Sequence, residues 1–161
     1  MKRSTQQEYV KRILNVLVFL QKNLDEELSL EEYARVAHFS PYHFHRIFCG
    51  MVFIGICYDD PKVTPPEKVR YDACVTVDGD FVAEDDVGVQ TIGGGEYAVT
   101  THIGPYNMLG QTYAKLLGQW LPRSGRELRS EPSLEFYLNA PESTDPEDLI
   151  TDIYAPLEPT Y

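Results

Sequence analysis

A glutamate in the middle of a predicted strand is the residue best suited to bind a charged ligand. Residues Ser133 to Asn139 read as a strand, whose alternation sends Leu134 and Phe136 to one face and Glu135 and Tyr137 to the other. Aromatic faces attract cations, and a partly desolvated glutamate supplies the opposite charge. The pair predicts a site for a cationic ligand with an apolar body; the alternative is a solvated sheet face that carries a glutamate and a tyrosine.

A second polar group lies at the start of a predicted helix. Ser40 supplies an N-cap and Pro41 the first helical residue, after which Tyr42 and Arg46 face outward and His43 lies on a flank. Arginine suits a bidentate bond to guanine, and the other side chains suit phosphate or base contacts. Ser40, Tyr42, His43 and Arg46 are therefore predicted to contact DNA, and the alternative is the polar face of an ordinary helical bundle.

Two other patterns do not indicate a bound group. His43 and His45 are two positions apart on a helix, about 200° around its axis, so they cannot chelate one metal ion. The run Gly93-Gly94-Gly95 lacks the Lys-Ser/Thr and the following helix of a phosphate-binding loop, and it is predicted to be a hairpin turn. We expect no metal and no cofactor.

Three helices are predicted to position the DNA-contacting group. Apolar residues at three- and four-residue steps predict a helix from about Gln6 to Asn23. Ser29 and Glu32 form a capping box that opens a short second helix, and the third begins at Pro41. The buried face of the third helix is expected to hold Phe44, Ile47, Phe48 and Met51.

Beyond residue 52 the pattern changes from helix to strand. Segments rich in Val, Ile, Thr and Tyr, bounded by Gly, Pro and Asp, predict six strands. They are Phe53 to Cys57, Asp72 to Val77, Gly88 to Ile92, Tyr97 to His102, Ser133 to Asn139 and roughly Leu149 to Ala155. One helix opens at Gly104-Pro105-Tyr106 and is predicted to end at Pro122. The fold class is therefore α+β, a helical helix-turn-helix segment followed by an antiparallel sheet with a helix.

Charge is distributed unevenly between these two regions. Of the 161 residues, the first 50 carry seven Lys/Arg against six Asp/Glu, a net charge of +1, and the remainder carry seven against nineteen, a net charge of −12. Because phosphate binding depends on Lys and Arg, contact with nucleic acid is expected only in the first region. The second region repels DNA and could attract cations.

Neither a membrane span nor a secretory signal is indicated. The longest mostly apolar run, Ile13 to Leu20, falls short of the roughly 20 residues that a bilayer requires. The basic start leads into an amphipathic stretch instead of an apolar signal core. Cys49, Cys57 and Cys74 have no CxxC spacing and are expected to be reduced. We predict a cytoplasmic protein with no membrane partner.

The N-terminal helices resemble a known DNA-binding motif. The stretch LSLEEYARVAHFSPYHFHRIF, residues 28–48, resembles the first helix-turn-helix of the AraC/XylS family of transcription regulators, including the Ser-Pro cap and the Arg-x-Phe ending. The resemblance implies DNA binding through residues 28–50. His38 replaces the turn glycine of many members, which predicts an adjusted backbone at that residue.

The remainder resembles a ligand-binding family. The segments IGICYDDPKVTPPEKVRYDACVTV, GGGEYAVTTHIGPYNMLGQTYAKLLGQWLP, PSLEFYLN and DLITDIYAPL are similar to the GyrI-like domain, the effector-binding domain of Rob- and BmrR-type regulators. That family folds as two strand-helix-strand-strand units around a cleft that takes hydrophobic cations at a glutamate, which the resemblance places at Glu135. It also implies that Tyr97, Tyr106, Trp120 and Tyr137 line the cleft.

Both resemblances are incomplete where they meet. Residues 1–52 match only the first half of an AraC-type domain, and residues 53–161 lack the first strand-helix unit of a GyrI-like domain. One helix-turn-helix alone binds DNA weakly, and a missing wall exposes apolar surface. We therefore expect self-association into a homo-oligomer that supplies the missing halves.

These observations predict a DNA-binding transcriptional regulator of AraC type that responds to a small hydrophobic or cationic effector, and not an enzyme. Two alternatives remain open. One is a ligand-sequestering or gyrase-inhibitor-like module without DNA binding. The other is a small-molecule hydrolase, in which a glutamate and a tyrosine activate water.

Overall fold

The protein forms two compact units in a computed structural model that describes residues 3–23, 29–48, 51–77, 81–82, 87–141 and 143–160. One unit comprises Met1–Val52 and Val75–Ile92, and the other comprises Phe53–Cys74 and Gly93–Tyr161. The first carries the N-terminal helices. The second carries most of the sheet and the later helical segment.

Three helices in the first unit follow the predicted pattern. They are α1 (Arg3–Lys22), α2 (Leu30–Val36) and α3 (Pro41–Phe48). The capping box is confirmed: the Ser29 hydroxyl accepts from the Glu32 N–H, and the Glu32 carboxylate accepts from the Ser29 N–H at 2.8 Å. Apolar side chains one helical turn apart are buried in these helices, namely Val10, Ile13, Val16, Ala34 and Phe44.

The turn between α2 and α3 has the adjusted backbone that the sequence predicts at His38. This residue has φ +54°, in the region where glycine is favoured. The N–H of Phe39 donates to the carbonyl of Ala34 at 2.8 Å, and the Arg12 guanidinium donates to the carbonyl of His38 at 3.2 Å. Hydrogen bonds on either side of the turn therefore hold His38 in this conformation.

The sheet has five strands in the order β2-β1-β4-β5-β3. The strands are β1 (Phe53–Cys57), β2 (Tyr71–Val75), β3 (Glu96–Ile103), β4 (Ser133–Tyr137) and β5 (Ile150–Leu157). β1 pairs antiparallel with β4, β4 with β5, and β5 with β3. β2 and β3 are the edge strands, and self-association at an edge remains a prediction.

Two hairpins of this sheet repeat each other at an offset of 80 residues. In the first hairpin, β1 to β2, the Tyr58 N–H donates to the Arg70 carbonyl at the base of the loop. In the second, β4 to β5, the Leu138 N–H donates to the Ile150 carbonyl at the equivalent place. Each loop contains a single 3₁₀ turn, Pro66–Lys68 or Pro146–Asp148. β1 and β4 are neighbouring strands and pair with Gly55 opposite Glu135, so the central residues of the two hairpins lie side by side in the sheet.

The helical segment after β3 contains a π turn that the sequence does not predict. A 3₁₀ turn (Tyr106–Met108) leads into α4 (Leu109–Lys115), the π turn Leu116–Trp120 and α5 (Leu121–Ser124). Prediction of a helix end at Pro122 is wrong. Pro122 lies in the first turn of α5, where its missing N–H is tolerated, and the helix ends at Ser124 before Gly125, which has φ +67°.

The predicted strand Gly88 to Ile92 is also wrong, and with it the hairpin at Gly93-Gly94-Gly95. These residues are all described and form no strand element. Val89 and Ile92 are largely exposed, so the segment has β-branched residues but no buried face to hold it in a sheet. Strand β4 also ends two residues early, because the Asn139 side chain accepts from Ile150 N–H and donates to Asp148 O.

Apolar residues pack on both faces of the sheet. On one face, the helical segment covers a cluster that includes Leu109, Leu116, Ile153 and Ala155. On the other face, Ile54, Ile56 and Leu134 form a second cluster. Within the described residues, no helix is long and apolar enough to span a bilayer.

Candidate functional site

Glu135 is buried on the face of the sheet that the helical segment covers. It lies in the middle of β4, opposite Gly55 of β1 and Ile153 of β5, and only 7% of its surface is exposed. A carboxylate removed from water requires hydrogen-bond donors, because desolvation otherwise costs several kcal/mol. This burial excludes the solvated sheet face that the sequence left open as an alternative.

Two tyrosine hydroxyls replace the lost water at Glu135. Tyr113 of α4 donates to Oε1 at 3.0 Å, and Tyr137 of β4 donates to Oε2 at 2.6 Å. Tyr137 reaches the carboxylate because residues two apart on a strand share a face. Each oxygen thus has a tyrosine donor, the Cys57 thiol also hydrogen-bonds to the carboxylate, and the two carboxylate oxygens still have acceptor capacity for a ligand.

A third tyrosine extends this chain toward the edge of the sheet. The hydroxyls of Tyr71, on β2, and Tyr137 lie 2.9 Å apart. Because Tyr137 uses its only hydroxyl proton on Glu135, it must accept at this contact and Tyr71 must donate. The order of donation therefore runs from Tyr71 to Tyr137 to Glu135.

Gly55 makes room for the Tyr71 ring. A Cβ at position 55 would lie 2.8 Å from Cε2 and Cζ of Tyr71, and closer still to its hydroxyl oxygen. No real side chain tolerates such contacts, so glycine is required for the ring to lie where it does. The ring of Tyr71 packs on the bare backbone of Gly55, and Gly55 is the residue paired with Glu135 on the neighbouring strand.

All of these donors stay protonated at neutral pH. Burial, and then the charge of Glu135, raise the pKa of Tyr113 and the pKa of Tyr137 far above their usual range. Burial likewise raises the pKa of Tyr71 to about 12, and burial together with the charge of Glu135 raises the pKa of the Cys57 thiol to about 12.

Tyr106 forms a wall beside this cluster. Its ring packs edge-on against Tyr137, with centroids 5.3 Å apart and planes at 77°. The preceding turn is fixed by His102, whose Nε2 bonds to the Pro105 carbonyl at 3.2 Å and whose Nδ1 bonds to the Thr112 hydroxyl at 2.8 Å. A carbonyl only accepts, so Nε2 carries the proton and, in a neutral ring, Nδ1 accepts from Thr112.

The structure does not bring the other two expected wall residues to Glu135. Tyr97 packs on the opposite face of the sheet, against Tyr154 and the Arg129 guanidinium, and its hydroxyl donates to Gly93 O. Trp120 lies in the π turn with 44% of its surface exposed. Neither side chain hydrogen-bonds to the cluster around Glu135 in the part of the chain that the structure describes.

The sequence analysis missed Gly55, Cys57, Tyr71 and Tyr113 as site residues. Tyr113 lies inside the predicted helix that opens at Gly104, and Tyr71 lies one residue before its predicted strand. The repeat at 80 residues is a signal for Gly55 and Cys57, because it aligns them with Glu135 and Tyr137, but it gives none for Tyr71 and Tyr113.

The residues predicted to contact DNA lie at the start of α3. The Ser40 hydroxyl accepts from His43 N–H at 3.3 Å, and Tyr42 is 79% exposed. The His43 ring packs against Tyr9 and Phe39, at centroid distances of 5.3 and 4.9 Å. Its Nε2 is buried with no partner among the described residues. The His43 ring therefore packs between helices and is less accessible to DNA than the side chain of Tyr42. The side chain of Arg46 lies outside what the structure describes.

Comparison with known protein families shows the family of this chain. Residues 6–158 match the family described as the GyrI-like small molecule binding domain. The chain belongs to this family. No AraC/XylS helix-turn-helix family matches it, so that resemblance of residues 28–48 stays a prediction.

Relatives of the GyrI-like chain carry two kinds of name. It is 36% identical over 105 residues to "Probable transcriptional regulator YgiV" of Escherichia coli K12, covering 64% of this chain and 65% of that one. It is 37% identical over 94 residues to "DNA gyrase inhibitor" of the same strain, covering 54% and 57%. A gyrase inhibitor of Escherichia fergusonii is 32% identical over 90 residues, covering 54% and 58%. The chain spans less than two thirds of the length of these curated relatives.

Proposed function

We propose that this GyrI-like chain is a ligand-responsive regulator whose site for a lipophilic cation is centred on Glu135. The observation that carries the proposal is a carboxylate that is 93% buried yet held only by uncharged donors among the described residues, two tyrosine hydroxyls and the Cys57 thiol. No lysine or arginine neutralises it among the described contacts. A buried carboxylate without a basic partner is best completed by a cationic ligand.

The surroundings favour a ligand with an aromatic or otherwise apolar body. Tyr106 and Tyr137 present ring surfaces beside the carboxylate, and rings of this kind attract cations. The net charge of −12 beyond residue 50 adds a long-range attraction for cations and repels anions.

The geometry supports binding over catalysis. A water placed for general-base catalysis would have to bind through the remaining lone pairs of Glu135, since each oxygen already accepts from a tyrosine, whereas a cation needs only the negative charge of the carboxylate. The tyrosines themselves are held protonated by their raised pKa values, so they are poor bases. We therefore propose a binding module and not a hydrolase.

The test compares a charged and an uncharged ligand of the same shape. N-Methylacridinium carries a permanent positive charge, and acridine at pH 8 provides a nearly isosteric uncharged ring. Replacing Glu135→Gln keeps the size of the side chain and removes its charge, so affinity for the cation should fall roughly tenfold or more while affinity for acridine changes little.

Asp152→Asn is the matched control. Asp152 lies in the adjacent strand β5, accepts from the Thr101 hydroxyl, and its removal changes the net charge by the same amount. We expect it to alter cation affinity less than twofold by fluorescence titration, because Asp152 is only partly buried and has no contact with the cluster around Glu135 among the described residues. Equal losses in the two variants would mean that overall charge, and not Glu135, attracts the ligand.

A second proposed function is DNA binding through α3, which would make the ligand an effector of transcription. Its support is the Ser40-capped helix with an exposed Tyr42, the basic balance of the first 50 residues, and the regulator name of one relative. Arg46→Ala should weaken binding to a preferred site by about 1–3 kcal/mol in a gel-shift titration if this arginine contacts a base.

Arg35→Ala is the comparison for the DNA experiment. Arg35 is an exposed cation of α2 that pairs with Glu32 at 3.8 Å, so its loss removes the same charge from a neighbouring helix. Similar weakening by both substitutions would indicate non-specific electrostatic binding. An absence of any DNA complex would instead favour a sequestering or gyrase-inhibitor-like module, in line with the other relatives.

A further inference from the structure

Tyr71 occupies a position that a ligand ring could take. The hydroxyl end of its ring lies so close to Gly55 that a Cβ there would be 2.8 Å from Cε2 and Cζ of the ring. Gly55 is paired directly with Glu135, so this bare stretch of backbone forms the floor immediately beside the buried carboxylate. The space above Gly55 is thus occupied by the hydroxyl end of an aromatic side chain of the protein itself.

The attachment of Tyr71 at this position is slight. Within the described part of the chain its hydroxyl makes one hydrogen bond, to Tyr137, and 41% of the residue is exposed to solvent. It lies on β2, the edge strand of the sheet, at the end nearest the loop. A rotation about its χ angles would release the ring into solvent, and that rotation breaks a single hydrogen bond.

We propose that the Tyr71 ring occupies the ring subsite of the ligand, and that a planar aromatic cation displaces it to lie on Gly55 beside Glu135. Gly55 and Tyr71 are then specificity-determining residues, because they select a flat ring and exclude bulkier groups. This inference rests on the proposed cation site at Glu135. It adds the shape of the ligand and the residue that the ligand must displace.

Displacement has a thermodynamic consequence. A site whose open form is only fractionally populated binds with an affinity reduced by that fraction. A hydrogen bond of ordinary strength corresponds to a roughly fivefold bias toward the closed form. Removing the Tyr71 ring should therefore strengthen binding, which is the opposite of what a ligand-contacting wall residue would do.

The test measures N-methylacridinium binding to the full chain carrying Tyr71→Ala. We expect affinity to rise roughly fivefold or more, with the gain appearing in the association rate by stopped-flow fluorescence. Tyr71→Phe, which keeps the ring and removes the hydrogen bond, should give a smaller gain of the same sign. Lower affinity in Tyr71→Ala would overturn the proposal and assign Tyr71 to the wall of the site, and unchanged affinity would equally overturn it.

A second substitution tests whether the vacated space is the subsite. Adding Gly55→Val to Tyr71→Ala fills the volume above position 55, so the gain in affinity should disappear. A gain that survives in the double variant would overturn the placement of the ring on Gly55. Thermal unfolding of every variant separates loss of fold from loss of binding.

Tyr58→Ala is the matched control for these variants. Tyr58 has a similar exposure of 37% and donates its hydroxyl to Asp72, so it should leave the affinity unchanged. Glu135→Gln separates the two proposals. Failure of Glu135→Gln to weaken cation binding would reject the cation site, whereas a normal Glu135→Gln result without a gain in Tyr71→Ala would reject only the displaced ring.

Discussion

The two hairpins of the sheet share one backbone design and differ in the side chains at its centre. The side chain of Asp59 accepts from Arg70 N–H and that of Asn139 accepts from Ile150 N–H, each at 2.8 Å, so even the loop hydrogen bonds repeat at 80 residues. At the central position, however, the first hairpin has Gly55 and the second has Glu135.

The flanking positions differ in a complementary way. The first hairpin has Cys57 in β1 and Tyr71 in β2, whereas the second has Tyr137 and Thr151 at the equivalent places. Each hairpin thus contributes one tyrosine, from opposite strands, and the two hydroxyls meet at 2.9 Å. A symmetric backbone with asymmetric side chains places one carboxylate at the centre and its donors on both sides, and this asymmetry creates the proposed site.

The largest difference between the hairpins concerns packing against the helical segment. Ile153 is fully buried in the second hairpin, and the equivalent residue of the first hairpin is the half-buried Ala73. Ile153→Ala should lower the free energy of unfolding by about 2–5 kcal/mol, since it leaves a cavity in a close-packed core. Urea denaturation measures this change.

Ala73→Gly serves as the comparison and should cost about 1 kcal/mol or less, mostly through backbone entropy. Similar losses at the two positions would show that the hairpins are equally packed and would remove the basis of the contrast.

A smaller loss of stability is expected from removing the Tyr137 hydroxyl, which joins the two hairpins through its contact with Tyr71. Tyr137→Phe leaves Glu135 Oε2 and the Tyr71 hydroxyl each without a partner, so it should cost about 1–3 kcal/mol of stability. Tyr97→Phe removes an exposed hydroxyl on the opposite face and should cost about 1 kcal/mol or less. If the two substitutions cost the same, the tyrosine chain is not a structural requirement for holding Glu135.

The smallest difference in stability between the hairpins is expected from a loop side chain, and it depends on pH. The Arg70 side chain and backbone N–H lower the pKa of Asp59 to about 2, below the value of 3.8 that it takes when unfolded, while Asn139 does not titrate. A carboxyl group with a lowered pKa contributes stability above about pH 4 and loses it as the pH falls toward about 2.

Asp59→Asn places in the first loop the same uncharged side chain that the second loop has at Asn139. The stability difference between wild type and this variant should therefore be present at pH 7 and shrink between pH 4 and pH 2 in urea titrations. A difference that stays constant down to pH 2 would contradict the role of the Asp59 charge. High salt should also reduce the difference, because the pair is near the surface.

The sequence predicts local features well and the site only in part. Caps and apolar spacing fix α1 to α3, and strand alternation places Glu135 and Tyr137 on one face, because these signals are contained within each element. Tyr113 reaches Glu135, and Tyr71 reaches Tyr137, only through helix packing and strand pairing, which join residues 22 and 66 positions apart. Gly88 to Ile92 misled the prediction because β-branched residues indicate a strand only when a partner strand buries them.

The structure of the complex tests the central claim most directly. Crystals of the chain with a bromine-labelled N-methylacridinium would locate the ligand through anomalous scattering from bromine. The account predicts one bound cation, with its charged ring within about 6 Å of the Glu135 carboxylate and the Tyr71 ring displaced from Gly55. A cation bound elsewhere on the acidic surface, with Glu135 still contacted only by Tyr113 and Tyr137, would contradict it.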